Sequence, residues 1–132
     1  MKKSKYPVFE HLLNQSKIQI ELEHKVSDLI FDWNRKHRVD YVLSKNGKSL
    51  IVEIEGHGSA KSRHTSFAGY HNDLLKYNTL RARDYTLLQF TAIMVKGKPL
   101  QVVEFINKWF NDEATGEYLT NFYAKHEIKA KK

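Results

Sequence analysis

Cysteine is absent from this sequence, which excludes disulfides and thiolate metal sites. No apolar run approaches the length of a membrane span. The opening MKKSKYPVFE lacks the apolar centre of a signal peptide, so the chain is expected in the cytoplasm with no membrane partner. There is no internal repeat, and low-complexity sequence is confined to a short basic tail. Negative charge is in deficit: 22 Lys and Arg face 15 Asp and Glu, for a formal net charge of +7. That balance favours nucleic acid or another anionic surface as partner, and it is also compatible with a merely soluble basic protein. A chain of 132 residues is expected to form one domain with a substantial core, here residues 1–124 followed by a basic tail at 125–132.

What is present centres on residues 38–55, RVDYVLSKNGKSLIVEIE. Two runs rich in β-branched and aromatic residues flank Asn46-Gly47, and this is the strongest short hairpin signal because a type I′ turn requires φ > 0 at both central residues. With that turn, Lys45 pairs with Lys48, Leu43 faces Leu50, Val42 faces Ile51 and Asp40 faces Glu53. Strand side chains alternate with period two, which puts Glu55 on the face of Glu53. Asp40, Glu53 and Glu55 are therefore expected to converge. Like charges placed opposite in a sheet repel. A compensating divalent cation with oxygen ligands is one resolution, and Mg²⁺ typically takes one or two carboxylates with water and phosphate. A solvated face whose acids pair with nearby lysines is the other.

Before the hairpin, Pro7 suits a first helical turn, and Phe9, Leu12 and Leu13 give a short helix over 7–16. Ile18, Ile20 and Leu22 alternate with polar residues as in a strand, although 17–26 could also continue as helix. Glu10, Glu21 or Asp28 could add an acid to the site or be exposed charges. Arg35, Lys36, His37 and Arg38 lead into the strand of Asp40 as a solvated turn or a phosphate-contacting edge; such contacts position nucleic acid without reading its sequence.

After Glu55 the sequence becomes small, polar and basic through residues 56–65, hence a loop beside the acids. His57, Arg63 and His64 could stabilise charge on a phosphoryl group or position a water, or be ordinary surface residues. Residues 69–83 read as a helix with Tyr70, Leu74, Tyr77 and Arg81 on one face and Leu80 beside Tyr77. Lys76 could reach the acids or pair with Asp73 at the surface. Residues 85–90, YTLLQF, form an apolar strand, and the helical crossover predicts that it runs parallel to the strand of Glu53. A turn is expected at 96–99, a helix over 100–111, and a docked turn or helix somewhere in 112–123.

An acid at a strand start, a turn, then Glu-x-acidic on the next strand resembles the PD-(D/E)XK nuclease superfamily, as does the order helix, hairpin, crossover helix, strand and helix. RVDYVLSKNGKSLIVEIEGHG followed by RHT, GYHNDLLKYN and YTLLQFT is most similar to small endonuclease-like proteins of phages and prophages, and to the branch related to very-short-patch mismatch repair endonucleases. The resemblance spans residues 28–95. It implies an α/β fold with a mixed β-sheet of about four strands flanked by helices, a restriction-endonuclease-like αβββαβ core. It also implies Asp40 and Glu53 as ligands of Mg²⁺ or Mn²⁺. Glu55 stands where most members have Lys, as a further metal ligand or a base that orients water. Lys76, His64 or Arg63 would then supply the missing cation.

The function expected from this reading is metal-dependent endonucleolytic hydrolysis of DNA phosphodiesters, nicking or structure-selective, by a phage-encoded protein in the host cytoplasm. Asp40, Glu53, Glu55, Arg63, His64 and Lys76 form the catalytic set, and Asp40, Glu53 and Glu55 the metal set. Arg35, Lys36, Arg38, Lys61 and Arg63 are the expected DNA contacts. A junction-resolving enzyme would act as a homodimer. The alternatives are a non-catalytic nucleic-acid-binding module on the same fold, or a phage factor that binds a host protein.

Overall fold

The computed structural model describes residues 4–30, 35, 37–56 and 67–129. Helix α1 (Pro7–Gln15) leads into β1 (Gln19–Lys25), a single 3₁₀ turn at Val26–Asp28, then β2 (Arg38–Lys45) and β3 (Lys48–Glu55). Helix α2 (Phe67–Ala82) crosses to β4 (Leu87–Thr91), and α3 (Ala92–Gly97), α4 (Pro99–Phe110) and α5 (Gly116–His126) follow. The four strands lie in the order β1-β2-β3-β4. The first two pairings are antiparallel and β3–β4 is parallel, so this is a mixed α/β sheet. Among the described residues no helix is long and apolar enough to cross a membrane.

The hairpin follows its sequence signals. Asn46 and Gly47 have φ of 53° and 79°, the positive pair that a type I′ turn demands. Lys45↔Lys48, Leu43↔Leu50 and Val42↔Ile51 are partners as the turn dictates. The two lysines at the tip serve α4 rather than the acids. Lys48 Nζ donates to the carbonyls of Trp109 and Phe110, where the carbonyl end of a helix attracts a cation, and pairs with Asp112 at 2.9 Å. Lys45 Nζ donates to Asn107 Oδ1.

Alternation along the strands builds a core on each face of the sheet. Leu43, Leu50, Val52, Ile54 and Phe90 pack with α1, α3 and α4 through Phe9, Leu13, Val95 and Ile106. Val42, Ile51 and Leu87 pack on the other face against Tyr77 and Leu80 of α2. The alternation slips at Asp40, because Val39 joins Val42 on the α2 side while Tyr41 belongs to the opposite core. Glu23, across from Asp40 on β1, has φ 47°. The slip coincides with the point where the strands stop pairing regularly.

Several expectations need correction. The inner face of α2 is Lys76, Tyr77 and Leu80, whereas Tyr70 and Leu74 are 53% and 42% exposed. Tyr77 and Leu80 lie inward as the periodicity predicts, but the buried stripe includes Lys76, paired with the buried Glu53, instead of Tyr70 and Leu74. Lys96 and Gly97 belong to α3, not to a turn; the Thr91 hydroxyl caps this helix by accepting from the Met94 amide. The expected start of the tail at 125 falls inside α5, whose Lys125 and His126 are helical and whose His126 ring packs on Phe122 with centroids 4.3 Å apart.

Candidate active-site cleft

Asp40 and Glu53 meet where the β2–β3 ladder ends. The last backbone pair toward this end is Tyr41↔Val52. Beyond it, carboxylates take over from backbone carbonyls. The Asp40 amide donates to Glu53 Oε1 at 2.6 Å, and the Ile54 amide donates to Asp40 Oδ2 at 2.7 Å. Each carboxylate thus accepts a main-chain N–H from the opposite strand, and such charge-assisted bonds are short and strong. The two acids are joined reciprocally across parting strands rather than stacked as a simple ladder pair, which is the geometry the hairpin register alone had suggested.

Glu53 is 6% exposed and Lys76 is 9% exposed; among the described residues they are the two buried charged side chains. Lys76 Nζ reaches Glu53 Oε2 at 3.2 Å and the Arg38 carbonyl at 3.2 Å, and lies 5.1 Å from the centroid of the Tyr77 ring. The surface pairing with Asp73 that sequence spacing allowed is therefore not the bond that holds it. The cation beside Glu53 thus comes from α2 rather than from the hairpin.

Glu55 connects through Tyr77. The phenol hydroxyl is 3.2 Å from Glu53 Oε2 and 3.0 Å from Glu55 Oε2. It has one proton to donate, so it bridges the two acids without satisfying both at once. Gln89 on β4 donates to the same Glu55 oxygen at 2.7 Å and accepts from Arg81 at 3.2 Å. Expectation and structure agree that Glu53 and Glu55 share a face, and the hydroxyl that joins them comes from a residue the periodicity had marked only as core.

Protonation follows from these surroundings. Burial raises the Asp40 carboxyl; the Ile54 amide, Lys5 and Lys76 oppose the rise and Glu55 adds to it. Burial and then the charge of Asp40 raise Glu53, against Lys76 and the Asp40 amide. Burial, Glu53 and Glu55 hold the Tyr77 phenol well above its ordinary value, so it remains a donor.

An open cleft of about 560 Å³ lies over these groups. Its carboxylates are Asp40, Glu53, Glu55 and Asp73, and its cations are Lys5, Arg38, Lys76 and Lys96. Lys5 and Lys96 carried no sequence signal, because they lie far from the hairpin in a lysine-rich chain and only the fold brings them to the cleft. Arg38 also donates to the Glu23 carbonyl. Arg35 is exposed. Lys36, His57, Lys61, Arg63 and His64 lie outside the described residues.

The additional acids separate. Glu21 and Asp28 flank His24 on and after β1. Glu10 accepts from Tyr41 at 2.7 Å and lines a hollow of about 20 Å³ together with Asp40. Among the described residues no group of three or more His, Cys, Asp or Glu stands together so as to hold a metal by itself. Asp40 and Glu53 are adjoining hard oxygen donors, which fits a Mg²⁺ site completed by water and phosphate, and Glu55 stands one hydroxyl away. No family model, no curated protein and no solved structure matches this chain.

Proposed function

We propose that the protein is a metal-dependent endodeoxyribonuclease of the PD-(D/E)XK kind, and that the cleft over Asp40 and Glu53 is its active site. The observation that carries this reading is the meeting of two buried-edge carboxylates with a buried lysine, Lys76, in an open cleft rimmed by further cations. The element order α-β-β-β-α-β with a β3–β4 parallel pair supports a restriction-endonuclease-like core.

Asp40 and Glu53 would hold Mg²⁺ or Mn²⁺. Such an ion, when bound, polarises a phosphodiester and lowers the pKa of an attacking water. The chain's own groups do the rest. Lys76 neutralises Glu53 and presents an ammonium to the cleft, where it offsets charge gathering on the phosphate. Glu55, oriented by Tyr77 and Gln89, is placed to accept a proton from water. Lys5, Arg38 and Lys96 attract the phosphate backbone.

A second reading, a nucleic-acid-binding module without catalysis, is favoured by one observation: Glu53 already has Lys76, Tyr77 and the Asp40 amide as partners. One experiment separates the two. Labelled single-stranded, duplex, mismatched, flapped and four-way-junction DNAs are incubated with Mg²⁺, Mn²⁺ or chelator, with wild type, Asp40→Asn and Glu53→Gln. Metal-dependent cutting lost in both variants establishes the nuclease. Binding without cutting, indifferent to chelator, establishes the module. Failure to bind or cut overturns both and points to a protein partner.

A further inference from the structure

The cleft does not end at its lysines. Lys5, Tyr6 and Lys96 also line a second hollow of about 220 Å³, whose remaining walls are Pro7, Val8 and Phe9 of α1 and Val95 of α3. The two spaces therefore share a boundary of two cations and one aromatic ring. One is polar and holds the carboxylates; the other is walled largely by apolar side chains.

Three features bear on what fits there. Val8 is 61% exposed, so it and Pro7 form the solvent-facing side of this wall, while Phe9 and Val95 behind them belong to the core. Lys96 Nζ lies 5.8 Å from the Tyr6 ring centroid, which keeps its ammonium at the mouth. Among the described residues neither Lys5 nor Lys96 forms an ion pair with a carboxylate. Two exposed ammonium groups beside a small recess with apolar walls match a ligand with an anionic end and a flat apolar body. A nucleotide has that form, and bases gain affinity by stacking on aromatic rings without regard to sequence.

We infer that this hollow receives the base of one unpaired nucleotide, and that Lys5 and Lys96 bind the phosphate joining it to the residue in the cleft. The inference rests on the nuclease reading of that cleft and deepens it by naming a substrate class. A base inside a duplex cannot enter without leaving its stack, at an expense of a few kcal/mol, whereas a flap, bulge or single strand offers one freely. The substrate is thus a strand with an unpaired nucleotide adjoining the scissile phosphate.

The test compares two phosphorothioate-protected, fluorescently labelled DNAs: a continuous duplex, and the same duplex with one unpaired nucleotide. Binding is measured against salt, in Mg²⁺ and in chelator, for wild type, Lys5→Ala/Lys96→Ala, Val8→Trp and Lys17→Ala. Wild type is expected to prefer the unpaired form by roughly tenfold, within the range that one base–aromatic stack provides. The double variant should flatten the slope of log K against log salt by roughly 1.4–1.8, the loss of two phosphate contacts. Val8→Trp, at an exposed helix position, fills the recess and should collapse the preference. Lys17 lies with the hairpin tip at the other end of the sheet, and its removal should change neither the preference nor the slope. Equal affinity of wild type for both DNAs, or a preference intact in Val8→Trp, overturns the inference while leaving the cleft reading in place. Absence of binding to either DNA overturns both.

Discussion

Lys76 Nζ stands 3.2 Å from Glu53 Oε2, and the two side chains are buried together between α2 and the splayed end of β2 and β3. A lysine ammonium and a carboxylate each lose hydration on burial, and either is stranded if the other is removed. The pair ties α2 to the strand of Glu53 alongside the packing of Tyr77 and Leu80.

Lys76→Met should therefore destabilise the protein, by up to roughly 3–5 kcal/mol at neutral pH in chelator, the range for breaking a buried ion pair. Urea unfolding measures this as a lower midpoint. Under the proposed function, Mg²⁺ then replaces the lost positive charge, so the rise in Tm on adding Mg²⁺ should be larger in Lys76→Met than in wild type. A variant as stable as wild type would show that Glu53 does not depend on Lys76.

Asp40→Asn should lose cleavage yet fold at least as well as wild type. Burial raises the folded Asp40 carboxyl above its ordinary range, so the folded state binds this proton more tightly than the unfolded chain. The sign follows: stability contributed by protonated Asp40 is present at acid pH and is lost as pH rises from the ordinary carboxylate range through the raised folded value. The uncharged amide escapes that loss. In chelator, the stability of Asp40→Asn relative to wild type should be greatest at pH 7 and shrink toward acid pH. A difference that grows on acidification would contradict the raised carboxyl.

Tyr77→Phe removes the hydroxyl that links Glu53 with Glu55 and leaves Gln89 as a donor to Glu55. Losing one oriented hydrogen bond of about 1.4 kcal/mol corresponds to about tenfold in rate. The expected effect is a fall in kcat of about that size with a smaller change in KM, read from steady-state cleavage. A change confined to KM would make Tyr77 a substrate contact instead.

Gly47 tests the hairpin. Its φ of 79° is strained for any residue with a Cβ, and the space around it is open, so backbone conformation is the term being probed. Gly47→Val should cost about 1–2 kcal/mol, while Gly47→Asn should be much milder. Denaturant midpoints for the two variants give the comparison, and equal losses would point away from the left-handed turn.

Much of the fold was legible because its signals are local. Asn46-Gly47 specifies the turn, the turn specifies the register as far as Tyr41↔Val52, and beyond it side-chain bonds to the backbone, not the ladder, join Asp40 and Glu53. The parallel placement of β4 follows from the crossover helix. What was illegible depends on partners far apart in sequence. Tyr70 and Leu74 looked like the buried stripe of α2, and nothing local could show that Lys76 would take the inner position. The short helix α3 was hidden because its Thr91 cap and its few apolar residues resemble the end of a strand followed by a turn.

The sequence by itself determined the hairpin turn, its register from Tyr41↔Val52 to Lys45↔Lys48, and the shared face of Glu53 and Glu55, since turn chemistry and period-two alternation act between near neighbours. Tertiary structure alone decided which cation answers those acids, which hydroxyl joins them, and that Lys5 and Lys96 share a wall with them. Buried charges choose partners by distance and desolvation in three dimensions, and no spacing along the chain encodes that choice.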